Sequence, residues 1–277
     1  MTNILVTGHK GYIGKHLYRE LKRLFHEVDG IDLKDGKDII HCLPKKSYDY
    51  VFHLAALPSV PYSIESPSYT LRNNVLGTSV LLEWAKNHEV KCVIFSSSAA
   101  VIGDKDGPKS PYGLHKLMCE MECKLYSKLY SLNTVSLRYF NVYSEDQVYG
   151  GPYSSVISAW MEMSRRGNSL KIYGEGDQTR DMIYIKDVIG ANIFCMRAHK
   201  SGNRLWKGES LNVGTGIGVS INYIKKNVDK HISDLKWSYM PPRVGDIKHS
   251  TADITTLQDL GWKPKVSIEE GIEKCFG

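Results

Sequence analysis

Tyr112 and Lys116, four residues apart in Tyr112-Gly113-Leu114-His115-Lys116, are a pair able to move a proton at a carbinol carbon. Residues i and i+4 share one helix face, so the two side chains project together if this stretch is helical. A phenol is a poor base near neutral pH, but positive charge beside it favours the phenolate. That phenolate can take a proton from a hydroxyl while hydride leaves the same carbon. Upstream, Ser96-Ser97-Ser98 closes an apolar run, and a serine from such a strand end can hydrogen-bond the same oxygen. Taken alone, the Tyr–Lys spacing also describes an ordinary amphipathic surface helix; the surrounding elements decide between the two.

Hydride chemistry needs an acceptor, and the start of the chain offers a place for one. Thr7-Gly8-His9-Lys10-Gly11-Tyr12-Ile13-Gly14 spaces its glycines as G-x-x-G-x-x-G, after the run Asn3-Ile4-Leu5-Val6-Thr7 and at the start of a helical stretch from about Tyr12 to Leu24. Glycine permits a tight turn and close backbone approach, and the helix N-terminus turns free N–H groups and its positive dipole end toward a pyrophosphate. Asp32, 18 residues after Gly14, ends the second strand. A carboxylate there accepts from a ribose hydroxyl and repels a 2′-phosphate, which favours NAD over NADP even with Lys34 nearby. The charge of a bound nicotinamide would join that of Lys116 in favouring the Tyr112 phenolate. Without this context the glycines read as a flexible turn and Asp32 as a turn residue.

The elements that must position these groups alternate in type. Residues 3–7, Val28–Leu33, Val51–Leu54, Val90–Ser96 and Thr134–Arg138 read as strands, with helical patterns over Tyr12–Leu24, Tyr69–Asn87 and Tyr112–Tyr130. This alternation predicts the α/β class with a Rossmann-type, doubly wound parallel sheet. After about Asn141 the strands shorten, and Gly150-Gly151-Pro152 and Pro241-Pro242 interrupt the chain. The expected organisation is a dinucleotide-binding domain over 1–142, with later segments returning to it, and a smaller α/β substrate-binding lobe over 143–277.

Composition bounds the function. The chain has 277 residues, 42% hydrophobic and 24% charged, and a net charge of +6. Its lysines are scattered, which argues against nucleic acid, while a diffuse positive field suits an anionic substrate. No apolar run approaches the roughly 20 residues of a membrane span. Met1-Thr2-Asn3 leads straight into the first strand, so no secretory leader is expected. Cys42, Cys92, Cys119, Cys123, Cys195 and Cys275 form no C-x-x-C pair and have no further ligands at metal spacing. Free thiols in a reducing cytoplasm, and no metal, are the expectation.

At this point the chain resembles the extended short-chain dehydrogenase/reductase family, in particular its nucleotide-sugar epimerases, over nearly its whole length. The resemblance lies in His53-Leu54-Ala55-Ala56, in Val60, Ser63, Pro67 and Tyr69, in Asn74-Val75-Leu76-Gly77-Thr78, and in Ser96-Ser97-Ser98 with Tyr112 and Lys116. It continues through Arg138-Tyr139-Phe140-Asn141-Val142-Tyr143, Ile172-Tyr173-Gly174-Glu175-Gly176 and Gln178-Thr179-Arg180-Asp181. Asn212-Val213-Gly214-Thr215-Gly216, Arg243-Val244-Gly245-Asp246 and Leu260-Gly261-Trp262-Lys263-Pro264 complete it. The resemblance implies a catalytic Ser98, Tyr112 and Lys116. It implies an NAD site formed by Gly8, Gly11, Tyr12, Ile13, Gly14, Asp32, Asp38, Ile39, Leu54, Ala55, Ala56, Asn74, Tyr112 and Lys116. It also implies a nucleotide-sugar site formed by Ser98, Tyr112, Asn141, Tyr173, Arg180, Arg243, Asp246 and Ser250. The arginines suit bidentate phosphate contacts. Read without the family, Arg180-Asp181 is a surface ion pair, and Arg243 and Asp246 are turn residues.

Related dehydratases place an Asp-Glu pair after the catalytic hydroxyl residue, and decarboxylases a Glu; here Ala99 and Ala100 follow Ser98. The resemblance therefore implies oxidation and reduction at one carbon, a 4-epimerase with NAD regenerated each cycle. Pro152-Tyr153-Ser154-Ser155-Val156-Ile157 is similar to the branch acting on UDP-N-acetylhexosamines, and Ser250 takes the place where a tyrosine would crowd an N-acetyl group. UDP-GlcNAc/UDP-GalNAc, with UDP-Glc/UDP-Gal, are the implied substrates. A uronate epimerase, a keto-sugar reductase and a non-catalytic NAD sensor are the alternatives. His53 follows Asp32 by only 21 positions, so the helix usual between the second and third strands should be missing. Ile102 stands where the family often has tyrosine, and Ser144-Glu145-Asp146 replaces the usual Gly-Pro-Arg. Relatives pair the helices that run here over Tyr69–Asn87 and Tyr112–Tyr130, which implies a homodimer. Leu117, Met118, Met121 and Leu125 are spaced either for that contact or for the chain's own core.

Overall fold

The fold is given by a computed structural model, which describes residues 2–24, 27–103, 106–150, 154–202, 204–242 and 248–277. In chain order, the first elements are β1 (Asn3–Thr7), α1 (Tyr12–Arg23), β2 (Glu27–Ile31), β3 (Tyr50–His53), α2 (Val60–Glu65), α3 (Pro67–Leu71) and α4 (Gly77–Asn87). Next come β4 (Cys92–Ser98), α5 (Pro111–Tyr130), β5 (Asn133–Tyr139), β6 (Asn141–Tyr143), α6 (Val156–Arg165), β7 (Leu170–Tyr173) and β8 (Thr179–Tyr184). The last are α7 (Ile185–Lys200), β9 (Lys207–Val213), β10 (Gly218–Ser220), α8 (Ile221–Val228), β11 (Trp237–Met240), β12 (His249–Ser250), α9 (Thr255–Asp259) and α10 (Ile268–Phe276). They form two compact units, one of Met1–Tyr139 with Ile189–Leu211 and one of Phe140–Val188 with Asn212–Gly277.

The first unit is built on a six-stranded sheet in the order β2-β1-β3-β4-β5-β9. The pairs β1/β2, β1/β3, β3/β4 and β4/β5 are parallel. β4 reads Cys-Val-Ile-Phe-Ser-Ser-Ser and is buried at every position but the last, as a central parallel strand covered on both faces must be. Leu5, Val51, Val93 and Phe95 pack with Leu81, Leu82, Cys119 and Cys123 in one buried cluster. The sheet grows in opposite directions from β1, to β2 on one side and β3 on the other. Thr7 and His53 face each other in register at the carboxyl ends of β1 and β3. Open α/β sheets bind ligands in the crevice at such a switch point.

Two sequence expectations change. The helix expected over Tyr69–Asn87 starts at Pro67 and is broken by a π-helical turn at Arg72–Leu76. The extra residue of a π-turn leaves the apolar spacing readable as one helix, so periodicity did not reveal it. The second strand ends at Ile31 rather than Leu33, because Asp32 caps a 3₁₀ turn over Leu33–Asp35 by accepting from Lys34 N–H. Between that turn and β3 there is no α-helix. Ile39, Leu43 and Tyr48 from this short connection pack on the core, and Trp84 Nε1 donates to Pro44 O at 2.9 Å.

In the second unit, β8 pairs with β6 and β12 in parallel and with β10 antiparallel. A separate parallel pair joins β7 to β11. Asp181 on β8 is fully buried. Its Oδ1 accepts from Thr215 N and Thr215 Oγ1, both at 2.7 Å, and its Oδ2 from Gly216 N at 2.9 Å and Ala252 N at 3.0 Å. Burial pushes the carboxyl pKa up while these donors pull it down. The surface ion-pair reading of Arg180-Asp181 is thereby corrected: Asp181 is an internal bolt that ties the 215–216 turn and Ala252 to β8.

Candidate active site

The helix that carries Tyr112 and Lys116 is placed by its first turn. Pro111 occupies the first helical position, where its missing N–H costs nothing, and Ser110 Oγ accepts from Gly113 N–H at 3.2 Å. A Cβ at Gly113 would collide with Ala100 O, so this glycine lets α5 lie against the turn that follows β4. Tyr112 N–H donates to Ser63 Oγ at 3.1 Å. Ser63, fully buried on α2, was quoted from the sequence without a role; helix periodicity gave no sign of this contact.

Tyr112 and Lys116 both lie buried on one face of α5. The Lys116 ammonium donates to Ser96 O at 2.7 Å and lies 4.7 Å from the Phe95 ring centroid. Burial pushes the Lys116 pKa down to about 8. Burial likewise raises the Tyr112 phenol to about 12, against a hydrogen bond with Ser98 that lowers it. Desolvation thus dominates the phenol of the protein alone, with the Ser98 hydrogen bond as the opposing influence, where sequence reasoning stressed the ammonium.

The three serines at the end of β4 have three different partners. Ser96 Oγ pairs with Tyr139 OH at 3.0 Å, and Tyr139 OH donates to Asn192 Oδ1 at 2.9 Å. Ser97 Oγ donates to Glu120 Oε1 at 2.5 Å, and Glu120 also receives Arg138 Nη2 at 2.6 Å and Ser210 Oγ at 3.0 Å. Ser98 Oγ accepts from Ala100 N–H at 3.2 Å while bonding Tyr112. Glu120 was missed in the sequence, although its place four residues after Lys116 was a usable signal.

The glycine loop fits a dinucleotide. Gly8 has φ +73°, a left-handed conformation, and a Cβ there would sit 2.7 Å from Ala55 N. A Cβ at Gly14 would strike Gly8 O. Only glycines keep this cradle open, and Gly11 caps the N-terminus of α1 with no side-chain cap. The N-terminus of α1, with Tyr12 and Ile13 in its first turn, is the place where such a helix can receive a pyrophosphate. Asp32 is buried, with Oδ2 accepting from Lys10 N–H and Oδ1 from Lys34 N–H, each at 2.9 Å. The carboxylate therefore shapes the loop as well, and each oxygen retains a lone pair for a ribose hydroxyl.

Where the resemblance places the adenine, Asp38 Oδ1 accepts from Ile40 N–H at 3.0 Å, and Arg72 approaches Asp38 Oδ2 at 3.5 Å. Ile39 is buried, with its Cδ1 3.0 Å from the place of a Cβ on Gly77. Leu54, Ala55 and Ala56 are half-buried beyond β3. Asn74, on the π-turn, accepts from Leu57 N–H at 2.8 Å and donates to Leu57 O at 3.2 Å.

In the second unit, Arg180 and Ser250 are direct partners in the β8/β12 ladder. Arg180 Nη1 donates to Thr179 O at 2.8 Å, and Asn141 Nδ2 to Asp181 O at 2.9 Å. Tyr173 ends β7, its carbonyl accepting from Gln178 Nε2 at 2.7 Å. Arg243 and Asp246 lie outside the described residues.

Comparison with known proteins agrees with this geometry. The model of the NAD dependent epimerase/dehydratase family matches residues 4–214. The solved structure of a UDP-N-acetylglucosamine 4-epimerase from Methanobrevibacter ruminantium M1, in complex with UDP-N-acetylmuramic acid, is 33% identical with a TM-score of 0.88, covering 98% of this chain and 97% of that one. A UDP-glucuronic acid 4-epimerase from Bacillus cereus, in complex with UDP-glucuronic acid and NAD, is 30% identical with a TM-score of 0.87, covering 99% and 98%. A UDP-glucose 4-epimerase of Mycolicibacterium smegmatis is 30% identical over 98% of this chain and 96% of its own.

Proposed function

Because the chain belongs to the NAD-dependent epimerase/dehydratase family, we propose that it is a nucleotide-sugar 4-epimerase acting on UDP-GlcNAc/UDP-GalNAc and on UDP-Glc/UDP-Gal. The observation that carries this reading is a buried Tyr112 and Lys116 beside Ser98, followed by Ala99 and Ala100 instead of an acid. Tyr112 takes the proton of the sugar 4-hydroxyl and later returns it to the 4-keto oxygen. Ser98 hydrogen-bonds the same oxygen, and Lys116 orients the cofactor while adding positive charge. NAD, held by the Gly8–Gly14 loop and Asp32, would supply the hydride acceptor and donor for C4 and a positive charge that would favour the phenolate. With only alanines after Ser98, no carboxylate stands in the place from which relatives eliminate water or remove CO₂.

From the second unit, Asn141, Tyr173, Arg180 and Ser250 are assigned to the nucleotide sugar, together with Arg243 and Asp246. The small Ser250 leaves room for an N-acetyl group. A homodimer is part of the same reading: Leu114, Met121 and Leu125 on α5 are exposed, as are Tyr69 and Leu76, whereas Met118 packs partly on the chain's own core. The test is incubation with UDP-GlcNAc, and separately with UDP-Glc, without added reductant, followed by chromatography of the sugar nucleotides. Formation of the C4 epimers is expected, and the ratio of the two rates reports on Ser250. Conversion only with stoichiometric NADH or NADPH would replace the epimerase by a reductase.

A further inference from the structure

His53 is a nearly fully buried histidine at the end of β3 that the hydride chemistry does not use. Its Nδ1 lies 2.7 Å from Thr7 Oγ1, and its Nε2 lies 3.0 Å from Thr78 Oγ1. Proton counting fixes the direction of both bonds. The Thr78 hydroxyl donates its single proton to Asn74 O at 2.6 Å, a separation at which two oxygens repel unless a proton lies between them. Toward His53, Thr78 can then only accept, so Nε2 carries the ring proton. Nδ1 is left with its lone pair and receives the Thr7 hydroxyl proton. Thr7 Oγ1 in turn accepts from Ala55 N–H at 3.2 Å. The sequence of donors runs one way, from Ala55 N–H through Thr7, His53 and Thr78 to Asn74 O.

We propose that His53 is a positioning residue of the cofactor groove: as the neutral Nε2–H tautomer it links Thr7 to Thr78, and so fixes the backbone at Ala55 and the Asn74 clamp on Leu57. The proposal rests on the reading that Ala55, Ala56 and Asn74 line the NAD site. Two segments far apart in sequence, the stretch after β3 and the π-turn, are held in one arrangement by a single ring. Burial first, and the Lys116 ammonium second, hold the imidazole neutral. The ring packs beside Phe95, 5.6 Å away centroid to centroid. A second ring proton would give Thr7 Oγ1 two N–H donors and leave its own proton without an acceptor.

Two measurements test this. Long-range ¹H–¹⁵N NMR of the full chain, with the His53 signals identified by their loss in His53→Gln, should show the Nε2–H tautomer. In Thr78→Val the acceptor for that proton is gone, and NAD affinity should fall on the order of tenfold, the scale of one buried hydrogen bond. Thr78→Ser, which keeps the hydroxyl, should stay within about twofold of the parent on the same scale. An Nδ1–H ring, or a Thr78→Val protein that binds NAD as the parent does, overturns the relay. If the parent itself fails to bind NAD, the groove reading falls whatever the tautomer, and the role proposed for His53 falls with it. A Thr78→Val chain that does not fold leaves the tautomer measurement on the parent to decide.

Discussion

Lys116 donates to the carbonyl of Ser96 at 2.7 Å, tying the helix that bears Tyr112 to the strand that ends in Ser98. Buried and desolvated, the ammonium group has a fixed address on β4. The neighbouring Ser97–Glu120 bond, one helical turn on, repeats the tie. The proposed base and its hydroxyl partner are thus pre-positioned by elements of regular structure, the arrangement that keeps a site rigid.

Replacing Tyr112 by Phe removes the proton carrier and leaves the ring. Turnover should fall by about 10³-fold, while NAD binding, measured by fluorescence titration, should persist. An active Tyr112→Phe protein would remove the phenol from the mechanism.

Lys116 gives a pH signature in stability. Its folded pKa is depressed to about 8 from 10.5, so below pH 8 both folded and unfolded chains carry the proton and the full cost of burying the charge applies. Between pH 8 and 10.5 the unfolded chain holds the proton and the folded chain has lost it, so this group's contribution to stability rises with pH. Urea unfolding of Lys116→Met against the parent should show the advantage of Met, largest at pH 7, shrinking by on the order of 3 kcal/mol by pH 10. A constant margin would contradict the burial argument.

Asp181→Asn keeps the shape but turns an amide NH₂ toward N–H donors that now meet an acceptor. Leaving buried donors unsatisfied should cost about 3 kcal/mol. Denaturant unfolding followed by Trp fluorescence checks this, and an unchanged midpoint would mean that the bolt is dispensable.

Much of the first unit was legible because backbone sterics write themselves into residue type. The glycines at 8 and 14 stand where a side chain would collide, and the four-residue spacing of Tyr112 and Lys116 survives in any helix. The 20 residues between Asp32 and His53 left little room for a helix with its two connections, and the stretch packs on the core through Ile39 and Tyr48. The π-turn at Asn74 was hidden, because one inserted residue alters hydrogen bonding more than hydrophobic spacing. Asp181, read without the family, looks like half of a surface pair for a related reason: adjacent opposite charges in a sequence do not reveal burial. Ser63 acts through a contact between elements distant in the chain, which periodicity within one element does not encode, whereas Glu120, one turn after Lys116, could have been found on the same helix face.

The most direct test of the central claim is the fate of the C4 hydrogen. UDP-GlcNAc deuterated at C4 should be converted, without added reductant, to a C4 epimer that keeps its deuterium, because Tyr112 handles only the hydroxyl proton and the hydride returns to the carbon it left. Loss of deuterium to water, or an absolute requirement for stoichiometric NADH, would contradict an epimerase that removes and restores one hydride at C4.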